Sequence, residues 1–120
     1  MRIAITSSGK DKSAKVDPRF GRALGFIVYD SDKDTYEYVE NMQVMNTPHG
    51  AGVQASRKII DLDVQAVITG HVGPNAFRAL NAADIDIYLA GTVSIEEAVS
   101  QMKSDGLKKA SDADVAGHWV

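Results

Sequence analysis

The chain has 120 residues, 44% apolar and 24% charged, with a formal net charge of −3 and no cysteine. These are the values of one ordinary globular domain able to bury its own core, and they exclude disulfides, thiolate catalysis, cysteine-held zinc and cysteine-ligated iron–sulfur clusters. No apolar run approaches the roughly 20 residues that cross a bilayer, and Met1-Arg2-Ile3-Ala4-Ile5 lacks the layout of a signal peptide, so a cytoplasmic setting without a membrane is expected.

Arg2 to Thr6 reads as a short buried strand. A polar loop follows from Ser7 to about Arg22. Phe26 to Asp30 is a second strand, Ser31-Asp32-Lys33-Asp34 a turn, and Thr35 to Glu40 an alternating third strand that closes a hairpin. The period then changes. Residues 51–61 form a helix with Val53, Ser56, Ile59 and Ile60 near one face. Val64 to Thr69 is an apolar strand. Gly73-Pro74 opens a second helix, in which Phe77 and Leu80 face the sheet. Ile85 to Leu89 is a fifth strand. Ser94-Ile95-Glu96-Glu97 is a capping box for a third helix, with Ile95, Ala98, Val99 and Met102 on its apolar face and Gly106 as its stop.

Right-handed crossovers place the fourth strand parallel to the first and the fifth beyond it. The expected fold is a ribonuclease-H-like, three-layer α/β/α architecture around a five-stranded mixed sheet of order 3-2-1-4-5. It occupies 1–120 as a single domain, with 107–120 a candidate flexible tail. No internal repeat is evident. The first and fourth strands flank a topological switch point, where open α/β sheets bind ligands at the strands' carboxyl ends. Thr6-Ser7-Ser8-Gly9 and Thr69-Gly70-His71-Val72-Gly73 line that crevice.

Residues 1–25 carry six basic and two acidic groups, so a positive loop sits on an acidic body. That pattern suits a local anion site rather than a broad nucleic-acid face. A solvated lysine-rich loop accounts for it equally well. Arg19 and Arg22, in Asp17-Pro18-Arg19-Phe20-Gly21-Arg22, offer two guanidinium forks for an anion; a plain turn with both arginines in solvent is the alternative. His49-Gly50-Ala51-Gly52 precedes a helix, where glycines admit close approach to backbone amides and His49 is a candidate metal ligand. Gly70, His71, Gly73 and Asn75 occupy the strand-to-helix junction at the crevice. In both places the glycines serve chain geometry equally well. His118-Trp119 is a weak candidate for folding over the site.

Three histidines without metal-binding spacing do not make a mononuclear site. The first and fourth strands hold no carboxylate for a two-metal nuclease. Nucleophile elbows, phosphate loops and dinucleotide fingerprints are absent. The expectation is a protein that is not an enzyme.

The stretches Asp17-Pro18-Arg19-Phe20-Gly21-Arg22-Ala23 with Phe26, Gly50-Ala51-Gly52, Thr69-Gly70-His71-Val72-Gly73-Pro74-Asn75-Ala76-Phe77 and Thr92 to Val99 are spread across nearly the whole chain. In this order they resemble the dinitrogenase iron–molybdenum cofactor biosynthesis family, which includes NifX, the NifB C-terminal domain and orange-protein-like members. The resemblance implies the ribonuclease-H-like fold and a non-catalytic carrier of an anionic molybdenum/iron–sulfur or related metal–sulfur cofactor, not covalently bound. The expected contacts are Ser7, Ser8, Arg19, Phe20, Gly21, Arg22, His49, Gly50, Gly52, Gly70, His71, Gly73 and Asn75, with His49 and His71 the candidate metal ligands. Partners would be cofactor-biosynthesis or cluster-receiving proteins, not nucleic acid, and the chain a monomer or weak homodimer. Many members have a histidine in place of Arg19, which shifts the expected binding here toward electrostatics. The alternative is a regulatory or interaction domain for a partner protein or small anionic metabolite, without metal.

Overall fold

The computed structural model describes residues 1–41 and 51–113. Its elements in chain order are β1 (Arg2–Ser7), β2 (Gly25–Asp30), β3 (Thr35–Glu40), α1 (Ala51–Asp61), β4 (Ala66–Thr69), α2 (Pro74–Ala82), β5 (Asp86–Leu89), α3 (Ile95–Lys103) and β6 (Lys108–Lys109). Among the described residues they make one mixed sheet of order β3-β2-β1-β4-β5-β6. β1, β2 and β3 are antiparallel neighbours. β4 runs parallel to β1, with Ile3 opposite Ala66 and Ile5 opposite Ile68, and β5 runs parallel to β4.

The sheet therefore has six strands, not five. β6 pairs antiparallel with β5 through Tyr88–Lys109 and Leu89–Lys108. Its two exposed lysines carry no alternating apolar pattern, and such charge is typical of a sheet edge. The following Ala110 is buried, and its amide donates to the Ile87 carbonyl at 2.8 Å. The first part of the expected tail is thus built into the fold. Among the described residues no helix is long and apolar enough to cross a membrane.

Alternation in β1 sends Ala4 to one face and Ile3 and Ile5 to the other. Ala4 joins Phe20, Phe26, Val28, Val67 and Ile87 under α1 and α2, which contribute Ala55, Ile59, Ala76 and Leu80. Ile3 and Ile5 join Val16, Ile27, Tyr29 and Ile68 under α3, which contributes Ile95, Ala98 and Val99. Each such large side chain, fully buried, stabilises the fold by about 1.5–3 kcal/mol. The face of α1 differs from the expected one by a fraction of a turn: Ala55 points inward and Ile60 is 41% exposed.

All three described helices end on an aspartate in the left-handed region, Asp63 (φ 56°), Asp84 (φ 59°) and Asp105 (φ 59°), evenly spaced along the chain. At α3 the Asp105 amide donates to the Met102 carbonyl at 3.2 Å and the Gly106 amide to the Gln101 carbonyl at 2.8 Å. This is the paired-bond Schellman closure, with Asp105 rather than Gly106 taking the strained position. α2 closes the same way through Asp84 to Asn81 and Ile85 to Leu80. The unit of helix, left-handed aspartate and strand recurs although its side chains differ, so it leaves no sequence repeat to read.

Candidate functional site

β1 and β4 lie side by side and end together at Ser7 and Thr69, where the chain departs in different directions. This is the switch point expected from topology. From β1 the chain makes an excursion and returns across both strand ends. Ser8 donates its amide to the Lys15 carbonyl at 3.0 Å, Ser7 pairs with Val16, and the Asp17 amide donates to the Thr6 carbonyl at 2.8 Å. Arg19 then pairs in parallel with His71, just beyond β4, and the Phe20 amide donates to the His71 carbonyl at 3.3 Å. The Arg19 and His71 motifs, far apart in sequence, are therefore neighbours at one rim.

Buried groups hold this crossing in place. Thr6 and Thr69 are both 0% exposed, and their hydroxyl oxygens are 3.0 Å apart. The Thr6 hydroxyl also donates to the Asp17 carbonyl at 2.7 Å. The Asp17 carboxylate accepts the Arg19 amide at 3.0 Å, a local turn that presents Arg19 outward. Gly70 passes directly beneath Pro18. Phe20 is the loop's anchor: it is 0% exposed, with its ring 6.2 Å from that of Phe26. Buried Asn41 donates its side-chain amide to the carbonyls of Gly21 (3.4 Å) and Ala23 (3.1 Å), fastening the outgoing limb.

The expected contact residues thus fall into groups. Arg19 is exposed and His71 half-buried, both at the rim, with Arg22 half-buried two positions past the Phe20 anchor. Ser8 is exposed and its hydroxyl donates to the Lys15 carbonyl at 3.0 Å. Ser7, Phe20 and Gly21 are buried in the scaffold, and the Ser7 hydroxyl closes a turn onto the Gly9 carbonyl at 2.6 Å. Gly52 is buried in the first turn of α1, its carbonyl accepting from Ser56 at 2.7 Å. Gly73 is the N-cap of α2, and exposed Asn75 accepts from Arg78 through its side-chain oxygen. His49, Gly50, His118 and Trp119 lie outside the described residues.

The two described strand-to-helix junctions differ chemically. α3 is closed: Ser94 accepts from the Glu97 amide at 3.1 Å, and loop carbonyls of Ala14 and Lys12 accept from the amides of Ile95 (2.8 Å) and Glu96 (3.0 Å). α2 starts at Gly73 without a side-chain cap, and Pro74 has no N–H to offer. The first-turn amides of Asn75 and Ala76 find no backbone carbonyl partner among the described residues. An uncapped helix start, two residues past the His71 that pairs with the Arg19 backbone, is a place of positive potential.

Composition pointed to the whole basic loop, but the fold divides it. Lys10 sits over the Tyr38 ring (5.9 Å) and Lys12 over the Tyr36 ring (5.6 Å), while Lys12 also pairs with Glu96 at 3.2 Å. Arg2 donates to the Leu62 carbonyl at 3.0 Å, at the amino end of β1. Among the described residues no three His, Asp or Glu side chains converge on a metal position. The donor set is one of cations and amides, which suits a preformed anion better than a bare metal ion.

Over residues 1–105 the chain matches the model of the family described as dinitrogenase iron–molybdenum cofactor. The apo orange protein from Desulfovibrio gigas is 36% identical and superposes with a TM-score of 0.92, covering 95% of this chain and 96% of that one. A NifB-like protein from Thermotoga, solved by NMR, is 35% identical with a TM-score of 0.79 over 90% and 91% of the two chains. An uncharacterized protein of Methanocaldococcus jannaschii is 30% identical over 112 residues, 91% of each chain.

Proposed function

Because the chain belongs to the dinitrogenase iron–molybdenum cofactor family, we propose that it is a non-catalytic carrier whose cargo is an anionic metal–sulfur cofactor or precursor, molybdenum-containing or related. The observation that carries this reading is the Arg19–His71 pairing, which joins the two motif loops at the carboxyl ends of β1 and β4. Arg19, with Arg22 near it, supplies positive charge. The amides of Asn75 and Ala76 supply neutral donors, and His71 a polar or metal-directed contact. The sulfurs come with the cargo, in keeping with a chain that has no cysteine. The cargo would pass between cofactor-biosynthesis or cluster-receiving proteins, in the cytoplasm. We read the three-layer topology as ribonuclease-H-like, without that fold's carboxylates on β1 and β4.

The test is direct. Protein purified anaerobically is analysed for molybdenum, iron and copper, and the metal-free chain is titrated with tetrathiomolybdate while visible absorption is followed. The reading expects saturable binding that weakens as salt rises. Absence of bound metal together with no saturable change in absorption would overturn it.

A further inference from the structure

We infer that Thr6 and Thr69 are positioning residues: their buried hydroxyls form a relay that fixes the Arg19 loop over the carboxyl end of the sheet. This rests on the anion-site reading for its functional meaning and on the hydrogen-bond geometry for its mechanism. A threonine hydroxyl has a single proton. The Thr6 proton goes to the Asp17 carbonyl, at 2.7 Å. The 3.0 Å contact between the two hydroxyls is then donated by Thr69. The order is Thr69 to Thr6 to the Asp17 carbonyl, from β4 through β1 to the loop.

Both threonines are fully buried, so neither hydroxyl can exchange its protein partner for bulk water. Loss of the Thr6 hydroxyl leaves both the Asp17 carbonyl and the Thr69 proton without this partner, a costly state at low local dielectric, whereas loss of Thr69 removes only the bond that steadies Thr6. The relay ends two residues before Arg19, whose amide is bound to the Asp17 carboxylate at 3.0 Å. Asp17 is thus held on its carbonyl by the relay and on its amide by the Thr6 carbonyl at 2.8 Å. Through it the relay sets where the guanidinium begins. Neither hydroxyl is at the surface, so they act on cargo only through this loop.

The test compares Thr6→Val, nearly isosteric but without the hydroxyl, with Thr6→Ser, which retains it, and Thr69→Val. Amide hydrogen exchange is measured on the cargo-free chain, and tetrathiomolybdate affinity alongside. In Thr6→Val the Asp17, Arg19 and Phe20 amides are expected to exchange about tenfold faster or more, with a smaller increase in Thr69→Val, which keeps the Thr6–Asp17 bond, while Ile5 and Ile68 in the strands stay protected. Affinity should fall about tenfold in Thr6→Val, less in Thr69→Val, and recover in Thr6→Ser. Unchanged loop exchange in Thr6→Val, or loss of protection spread equally through the strands, would overturn the relay. Failure of the wild-type chain to bind tetrathiomolybdate would instead sink the carrier reading, and the exchange data would still decide whether the hydroxyls position the loop.

Discussion

A methyl group built on Gly70 would stand 2.6 Å from the Pro18 Cα and 2.8 Å from the Pro18 carbonyl oxygen. Both obstructing atoms are backbone, so a side chain there cannot be relieved by a rotamer change. Gly70 is needed because two chain segments cross at that point. We expect Gly70→Ala to destabilise the protein by about 1–3 kcal/mol, the usual range for overpacking, and to displace the Arg19 loop. Denaturant midpoints and tetrathiomolybdate titration together check this. An unchanged midpoint with unchanged affinity would mean that the crossing is looser than described.

Arg19 is exposed, so its attraction for an anion is screened by salt. Arg19→Ala is expected to weaken tetrathiomolybdate binding about tenfold at low ionic strength. The difference from wild type should shrink as salt is added, and thermal stability should be unaffected. Titrations at two salt concentrations measure both. Equal affinities at low salt would remove Arg19 from the site.

Asp105 combines a left-handed backbone with a carboxylate at the C-terminus of α3, where the helix dipole disfavours negative charge. Asp105→Asn keeps a residue tolerant of that backbone and removes the charge. It should stabilise by about 0.3–1 kcal/mol. Asp105→Gly should also stabilise, its lower backbone strain being offset in part by the entropy of the unfolded chain. Thermal melts of the three proteins test the ranking, and a lower midpoint for Asp105→Asn would contradict it.

Burial, with smaller effects from Tyr29, Asp34 and Glu96, pushes the Tyr36 phenol above its ordinary range. The folded state therefore keeps this proton at a pH where the unfolded chain has lost it. The stabilisation is complete below the unfolded value of about 10 and is lost as pH rises through the folded value. Thermal midpoints should fall as pH rises above about 10, and Tyr36→Phe should make that fall shallower. Absorbance at the tyrosinate band should show one fewer upward-shifted ionisation in the variant than in the wild type, where burial raises Tyr38 as well.

Strand and helix positions, the parallel placement of β4 beside β1 and the switch point at their carboxyl ends followed from the sequence. Those features rest on local periodicity and on chirality, both written into consecutive residues. The capping box at Ser94 was legible for the same reason. β6 was not, since two lysines carry no periodic signal and pair only because β5 offers an open edge. The sequence placed Arg19, Gly70 and His71 among a wider group of expected contact residues, but did not show the packing that holds them. Gly70 clears a path for Pro18, Phe20 anchors the loop in the core, and two of the loop's lysines turn to Tyr36 and Tyr38. The Thr6–Thr69 bond joins residues far apart in sequence, and nothing local distinguishes those hydroxyls from any threonine closing a strand. Backbone pattern is a property of neighbours along the chain. The division of a basic loop into anchor, strap and exposed charge depends on which distant side chains exclude water together, and that is settled only when the sheet and its helices are packed.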